Sequence, residues 1–279
     1  MAVNQQANQS GRLLPTPPGT GAPPIIELRN VTKRFGRQLV LDGASLAFRR
    51  GETTVVIGES GTGKSVLLKH IVGLLRPDAG EVWVDGRRVD RLSAKEWTQV
   101  RKRFGVLFQG AALFDSMTAG ENVAFPIREH RSLSDAAVQE IVLAKLRMVG
   151  LEEFADKKPA QLSGGQRKRV GLARAIAMDP EVILYDEPTT GLDPIRADVI
   201  NELILKLQRE LGVTSIVVTH DMASAYKVAD RIVMLYRGRF IADGTPEEIR
   251  RSADARVRRF VEGQADEEDL ASLRAESPR

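Results

Sequence analysis

Cysteine is absent from this chain. No disulfide framework or thiolate metal site can form, which fits a reducing compartment. Long apolar runs are missing too. The longest, SIVVT and RIVMLY, are strand-length, far short of the roughly 20 residues that cross a bilayer. The opening stretch MAVNQQANQSGRLLPTPPGTGAPP is polar and rich in Pro and Gly, without the basic start and apolar stretch of a signal peptide. Residues 1–24 are therefore expected to be a disordered tail, and the protein is expected to stay in the cytosol. Any work on a membrane would be done from one side, through a partner. Charge of one sign is not concentrated anywhere: a net +4 and a pI of 9.4 come from mixed basic and acidic residues over 279 positions. Nucleic acid is not an expected partner on that basis. No internal repeat is visible.

What is present is a 42% hydrophobic composition, ample for a core in one or two domains. Residues 25–57 read as short strands and turns, ending in the apolar strand TVVIG. A helix, KSVLLKHIVGLL, is expected to run until Pro77 stops it. DAGEVWVDGRRV carries a hairpin signature, 93–103 looks helical, and a strand RFGVLFQ follows. From about 110 to 160 helical periodicity takes over. Ser134-Asp135 can cap a helix with Val138, Ile141, Val142, Leu146 and Val149 on one face and Gly150 as its stop. Then come the strand PEVILYDEP, a helix near 195–211, the strand VTSIVVTHD, the helix MASAYKVA and a last hairpin, RIVMLYRGRFIADG. Apolar strands alternating with helices imply a parallel sheet covered on both faces. The segment 110–165 looks like a helical insertion, and 250–279 a charged helical extension.

The stretch GESGTGKS at 58–65 matches the phosphate-loop pattern, after an apolar strand and at a helix start. Gly58, Gly61 and Gly63 let backbone N–H groups face inward, and the helix N-terminus adds partial positive charge. Glu59, Ser60, Thr62 and Val66 complete the expected nucleotide-binding set. Lys64 would reach the β- and γ-phosphates, and the Ser65 hydroxyl would ligate Mg²⁺. In VILYDEPTTGLD, Asp186 emerges at the carboxyl end of a buried strand, where ligands of such sheets bind, and should hold the Mg²⁺ shell. Glu187 should be the general base on the attacking water, although an Asp-Glu pair after a strand is otherwise often a solvated turn. His220 ends a third strand at the same rim and can touch the γ-phosphate. His70 reads as packing. Gln109 could sense Mg²⁺ or the water and pass nucleotide state to the insertion. Phe35 is a candidate to stack on adenine, or a core residue.

QLSGGQRKRV at 161–170 resembles a second phosphate turn without a lysine. Ser163, Gly164 and Gly165 open a helix whose hydroxyl and N–H groups could neutralise the γ-phosphate flank that the first loop leaves exposed.

GESGTGKS, Gln109, LSGGQ, VILYDEP, GLD and His220, in this order and spacing, resemble the ATPase subunit of an ABC transporter over roughly residues 25–245. The resemblance implies a P-loop ATPase fold: a mixed-sheet core, an antiparallel β subdomain and a helical subdomain near 110–165, within a domain spanning 25–249. It also implies that two copies sandwich two ATPs head to tail. Ser163, Gly164, Gly165 and Gln166 then act on the neighbour's nucleotide, with Asp193 at the subunit boundary. AALFDSMTAGENVAFPIREH and DARVRRFVEGQADE resemble the Mla type, the bacterial ATPases of phospholipid transport between membranes. That resemblance implies a multi-spanning permease, a lipid-binding MCE protein and in some systems a STAS-domain protein as partners, at the cytoplasmic face of the inner membrane. It also implies a C-terminal extension that reaches the other subunit; Val257, Phe260 and Val261 offer an apolar face for it, unless 250–279 is a solvated tail. An ATPase importing a small solute, and a soluble ABC-type ATPase of DNA repair or translation, are the alternatives. The latter usually carries a long coiled coil or two fused halves, and this chain has neither.

Overall fold

The computed structural model describes residues 23–265. Of the expected tail over 1–24, all but the last two residues lie outside that range, as does 266–279 of the C-terminal extension.

Two sheets are built. The first pairs β1 (Ile26–Phe35) with β2 (Gln38–Phe48) on one side and with β4 (Ala79–Val84) on the other, β4 being followed by the short β5 (Arg87–Arg88). All of its pairs are antiparallel. The second has six strands in the order β10-β9-β3-β8-β7-β6. These are β3 (Thr53–Ile57), β6 (Phe104–Leu107), β7 (Val182–Asp186), β8 (Thr214–Thr219), β9 (Arg231–Tyr236) and β10 (Arg239–Gly244), and only the β9–β10 edge pair is antiparallel.

Side chains on a strand alternate between faces, so an all-apolar strand feeds two cores at once. Val55 and Ile57, Ile183 and Tyr185, Val217, and Ile232 and Met234 enter one core. Val56, Val182 and Leu184, Ile216 and Val218, and Val233 and Leu235 enter the other. The second core is closed by the antiparallel sheet, by α1 (Lys64–Ile71) and by α2 (Ala94–Arg101). The first is closed by α3 (Ala119–His130), α4 (Asp135–Met148), α5 (Gly164–Ala175), α6 (Pro194–Leu211) and α7 (Met222–Val228). The cap and stripe expected for α4 are there: Ser134 accepts from the Ala137 N–H, and Val138, Val142 and Leu146 are buried. His70 packs as expected, with Nδ1 against the Val66 carbonyl at 2.7 Å. Among the described residues no helix is long and apolar enough to cross a membrane.

One expectation is corrected. α1 ends at Ile71, six residues short of Pro77. The stop is Gly73, whose φ of +67° bends the chain, with the Leu74 N–H reaching back to the Lys69 carbonyl. Trp97 of α2 lies flat against it: a Cβ at Gly73 would stand 2.2 Å from the indole. At the other end, α8 (Pro246–Arg250) and α9 (Ala255–Glu262) fold back on their own chain. Val257 is fully buried, and Phe260 and Val261 pack on the first core. Arg250 stacks over Tyr226 at 4.5 Å and Arg256 over Tyr236 at 5.6 Å. The apolar face of Val257, Phe260 and Val261 thus packs on the core of its own chain.

Gly73→Ala forces a Cβ into both a left-handed backbone and the Trp97 ring. It should cost on the order of 1–3 kcal/mol, as overpacking does. The urea midpoint should fall with the m-value unchanged, and an unchanged midpoint would show that Trp97 moves aside freely.

Candidate functional site

The carboxyl ends of β3, β7 and β8 lie side by side, and the phosphate loop leaves the first of them. Gly58, Gly61 and Gly63 all have positive φ, at +152°, +80° and +102°. Gly58 is pressed so closely on β9 that a Cβ would meet the Leu235 carbonyl oxygen at 2.4 Å. Gly63 is likewise crowded, a Cβ there meeting Val40 at 2.9 Å, so the backbone can curl at both ends of the loop into the cradle a polyphosphate needs. Lys64 crosses it, donating to the carbonyls of Gly58 at 2.7 Å and Glu59 at 2.8 Å. Burial pushes its pKa down, against the pull of Glu187 and Asp186.

Ser65 donates from Oγ to Asp186 Oδ1 at 2.8 Å, joining α1 to the end of β7. Burial holds the Asp186 carboxyl above its ordinary range despite that bond, and the Glu187 charge adds to the shift. A half-buried carboxylate beside a hydroxyl is an all-oxygen donor set, which suits a hard cation such as Mg²⁺.

Glu187 is the most constrained residue of the site. It is buried, with φ at +49°, a conformation that costs a non-glycine residue on the order of 1–3 kcal/mol. Its N–H continues the sheet to the Val218 carbonyl. Its Oε2 faces His220 Nδ1 at 2.9 Å and accepts from Thr190 Oγ1 at 3.1 Å and Thr219 Oγ1 at 3.4 Å. Lys64 Nζ stands 3.9 Å from Oε1. A carboxylate only accepts, so Nδ1 is the protonated nitrogen of His220. The structure thus brings Lys64, Ser65, Asp186, Glu187 and His220 together.

It does not bring in Gln109 or Phe35. The strand expected to end at Gln109 stops at Leu107, and Gln109 is exposed with no side-chain hydrogen bond among the described residues. Behind it Ala111 and Ala112 take positive φ, held by Arg174 of α5, which donates to both carbonyls at 2.7 Å. A groove of about 360 Å³ opens there between β6, α3 and α5, lined by Phe108, Phe114, Phe125 and Met178 among others. Phe35 is 46% exposed, which removes the core alternative for it.

The second glycine turn has other surroundings. Ser163 caps α5 by accepting from the Gln166 N–H, while Gln166 Oε1 accepts from the Ser163 N–H at 2.8 Å. The N–H groups of Gly164 and Gly165, in the first turn, have no acceptor within the helix. The nearest atoms to a Cβ at these glycines belong to Leu192, Arg167 and Arg196, none of them at the phosphate loop. Asp193 caps α6 by accepting from the Arg196 N–H and also ion-pairs with Arg196 at 3.3 Å.

Three residues of the site escaped the sequence reading: Thr190, Thr219 and Lys168. Lys168 is buried in α5, and its Nζ donates to the carbonyls of Pro188 at 2.7 Å, Thr190 at 2.8 Å and Glu187 at 3.3 Å. Burial lowers its pKa to about 8. A signal was available: Gly165, Lys168, Leu172 and Ala175 share one buried stripe, while Arg167 and Arg169 fall off it.

A family model described as ABC transporter matches residues 41–190. The intermembrane phospholipid transport system ATP-binding protein MlaF of Haemophilus influenzae is 45% identical over 242 residues, which are 87% of this chain and 92% of that protein. A probable ribonucleotide transport ATP-binding protein, mkl, of Mycobacterium tuberculosis is 39% identical over 99% of this chain and 79% of its own. Among solved structures, a dimeric ATP-binding cassette in a post-hydrolysis state with ADP and Pi superposes with a TM-score of 0.74 at 37% identity, covering 79% of this chain and 98% of that one. The cbiO1 protein of Clostridium perfringens, part of an ABC transporter complex, gives 0.76 at 29% identity, over 91% and 100%. The chain belongs to the ABC transporter family, as an ATP-binding subunit of the Mla type.

Proposed function

We propose that this chain is the ATP-hydrolysing motor of a phospholipid transporter, working as a pair of identical copies beneath a membrane-spanning permease. The contacts that converge on Glu187 carry the reading. They place one carboxylate between the phosphate-loop lysine, a histidine and two threonine hydroxyls, at the sheet edge where a triphosphate would lie.

Lys64 would exchange the loop carbonyls for β- and γ-phosphate oxygens, since a charged acceptor is the stronger partner for an ammonium. Residues 58–66 would wrap the phosphates, with Phe35 stacked on the adenine. Ser65 and Asp186, joined by Gln109 from the loop after β6, would hold Mg²⁺, which when bound supplies positive charge to the phosphate oxygens. Glu187 takes a proton from a water whose oxygen forms the new bond to the γ-phosphorus. The bond from phosphorus to the β–γ bridging oxygen breaks, and ADP leaves with that oxygen. His220 would keep Nδ1–H on Glu187 and, as an imidazolium, donate from Nε2–H to the γ-phosphate.

Ser163, Gly164, Gly165 and Gln166 would grip the γ-phosphate bound by the other copy, with Asp193 at the boundary. The separate surroundings of the two glycine turns, and the dimeric form of the related ADP-bound cassette, support this division. The working unit spans residues 25–249. Its helical insertion near 110–165 carries the groove beside Gln109, where the permease would be moved as the pair closes. An MCE lipid-binding protein beyond the permease and a STAS-domain protein on the insertion complete the assembly, peripheral at the cytoplasmic face of a bacterial inner membrane. The C-terminal extension, 250–279, would reach the other subunit.

The name of the mycobacterial relatives favours a second reading, an importer of a small solute such as a ribonucleotide. Gentle detergent purification with mass spectrometry separates the two. Recovery of phospholipid with an MCE partner supports the first; recovery of a solute-binding protein and no MCE partner supports the second.

Glu187→Gln should bind ATP normally and lose turnover by about 10²–10⁴-fold, the usual worth of a general base; normal hydrolysis by the variant would remove Glu187 from that role. Lys64→Ala should abolish nucleotide binding in an equilibrium assay. Mixing Ser163→Arg chains with Lys64→Ala chains should restore part of the ATPase rate, because each mixed pair keeps one intact composite site. No recovery would mean that each chain completes its own site.

A further inference from the structure

Lys168 is a buried cation, with no ion pair among the described residues. All three of its donors are taken by backbone carbonyls, and all three carbonyls belong to one short loop, 187–190. That loop starts with Glu187 in its left-handed conformation and continues into Thr190, whose hydroxyl donates to the same carboxylate. A bundle of carbonyls turned toward one point carries partial negative charge, and a single ammonium is the group that can satisfy it. The lysine stands five residues beyond Ser163, in the second turn of α5. Helix α5 therefore begins at the turn assigned to the neighbour's nucleotide and is pinned, one turn later, to the loop that aims this chain's own carboxylate.

We propose that Lys168 is a positioning residue for Glu187: by tying α5 to the carbonyls of Glu187, Pro188 and Thr190 it makes engagement of the 163–166 turn by one nucleotide set the aim of the carboxylate that acts on the other. This rests on the ATPase reading above. Lys168 touches neither nucleotide, so its loss acts on turnover and spares binding. Burial lowers its pKa to about 8, against the opposing pull of the Glu187 charge.

The test is Lys168→Met, which keeps the aliphatic stem and removes all three donors, beside wild type, Glu187→Gln and Lys168→Gln, which restores an amide donor. We expect kcat of Lys168→Met to fall about 10²-fold, the scale set by a misplacement of roughly 1 Å at a reacting group. ATP affinity and KM should stay within about 3-fold of wild type, the split that marks an interaction made only in the transition state. Lys168→Gln should recover part of kcat. If the Met variant does not fold, the Gln variant alone carries the comparison, with a lowered kcat and an unchanged affinity expected. A wild-type kcat in either folded variant overturns the inference, as does a parallel loss of ATP affinity. Wild-type protein without ATPase activity would instead overturn the reading beneath it.

Discussion

Glu187 stands one residue past the end of β7 with its backbone in the left-handed region. The site depends on what keeps it there. The sheet bond to Val218 fixes its nitrogen, and Lys168 gathers its carbonyl with two others downstream. Thr190, Thr219 and His220 fix its carboxylate. Strain of this kind persists only where surrounding contacts over-determine it. Those contacts come from β8, from α5 and from the loop before α6, so distant stretches of the chain must fold together before the carboxylate is aimed.

The same helix, α5, repeats the device at its other end. Arg174 donates to the carbonyls of Ala111 and Ala112, both with positive φ, just beyond Gln109. One rigid element thus reaches the 163–166 glycine turn, the 187–190 loop and the wall of the apolar groove. Displacing α5 by a small amount must disturb all three, because a packed interior transmits such shifts rather than absorbing them. This gives a physical route from the 163–166 turn to the apolar groove.

Much of this was legible in the sequence, and for definite reasons. The phosphate loop and the carboxylates after VILY announce themselves because a turn of fixed geometry demands glycine at fixed positions and a buried strand demands an apolar run. The alternation that splits each strand between two cores is equally local. What stayed hidden depends on packing between remote segments. Nothing near Gly73 says that Trp97 will lie on it, so Pro77 looked like the helix stop. QRKRV offers three neighbouring cations, and only the stripe through Gly165, Leu172 and Ala175 selects Lys168 as the buried one. Val257, Phe260 and Val261 form an apolar face whose partner the sequence cannot name; the fold supplies it from within.

The central claim is that nucleotide joins two copies, each contributing one glycine turn to a shared triphosphate. Ligand and self-association are then linked, and whatever ATP gains from the second turn must appear as tighter pairing. Sedimentation equilibrium of the hydrolysis-deficient protein in saturating ATP and in saturating ADP reads this directly. The account predicts a markedly lower dissociation constant for the pair in ATP. The same constant in both nucleotides would contradict it.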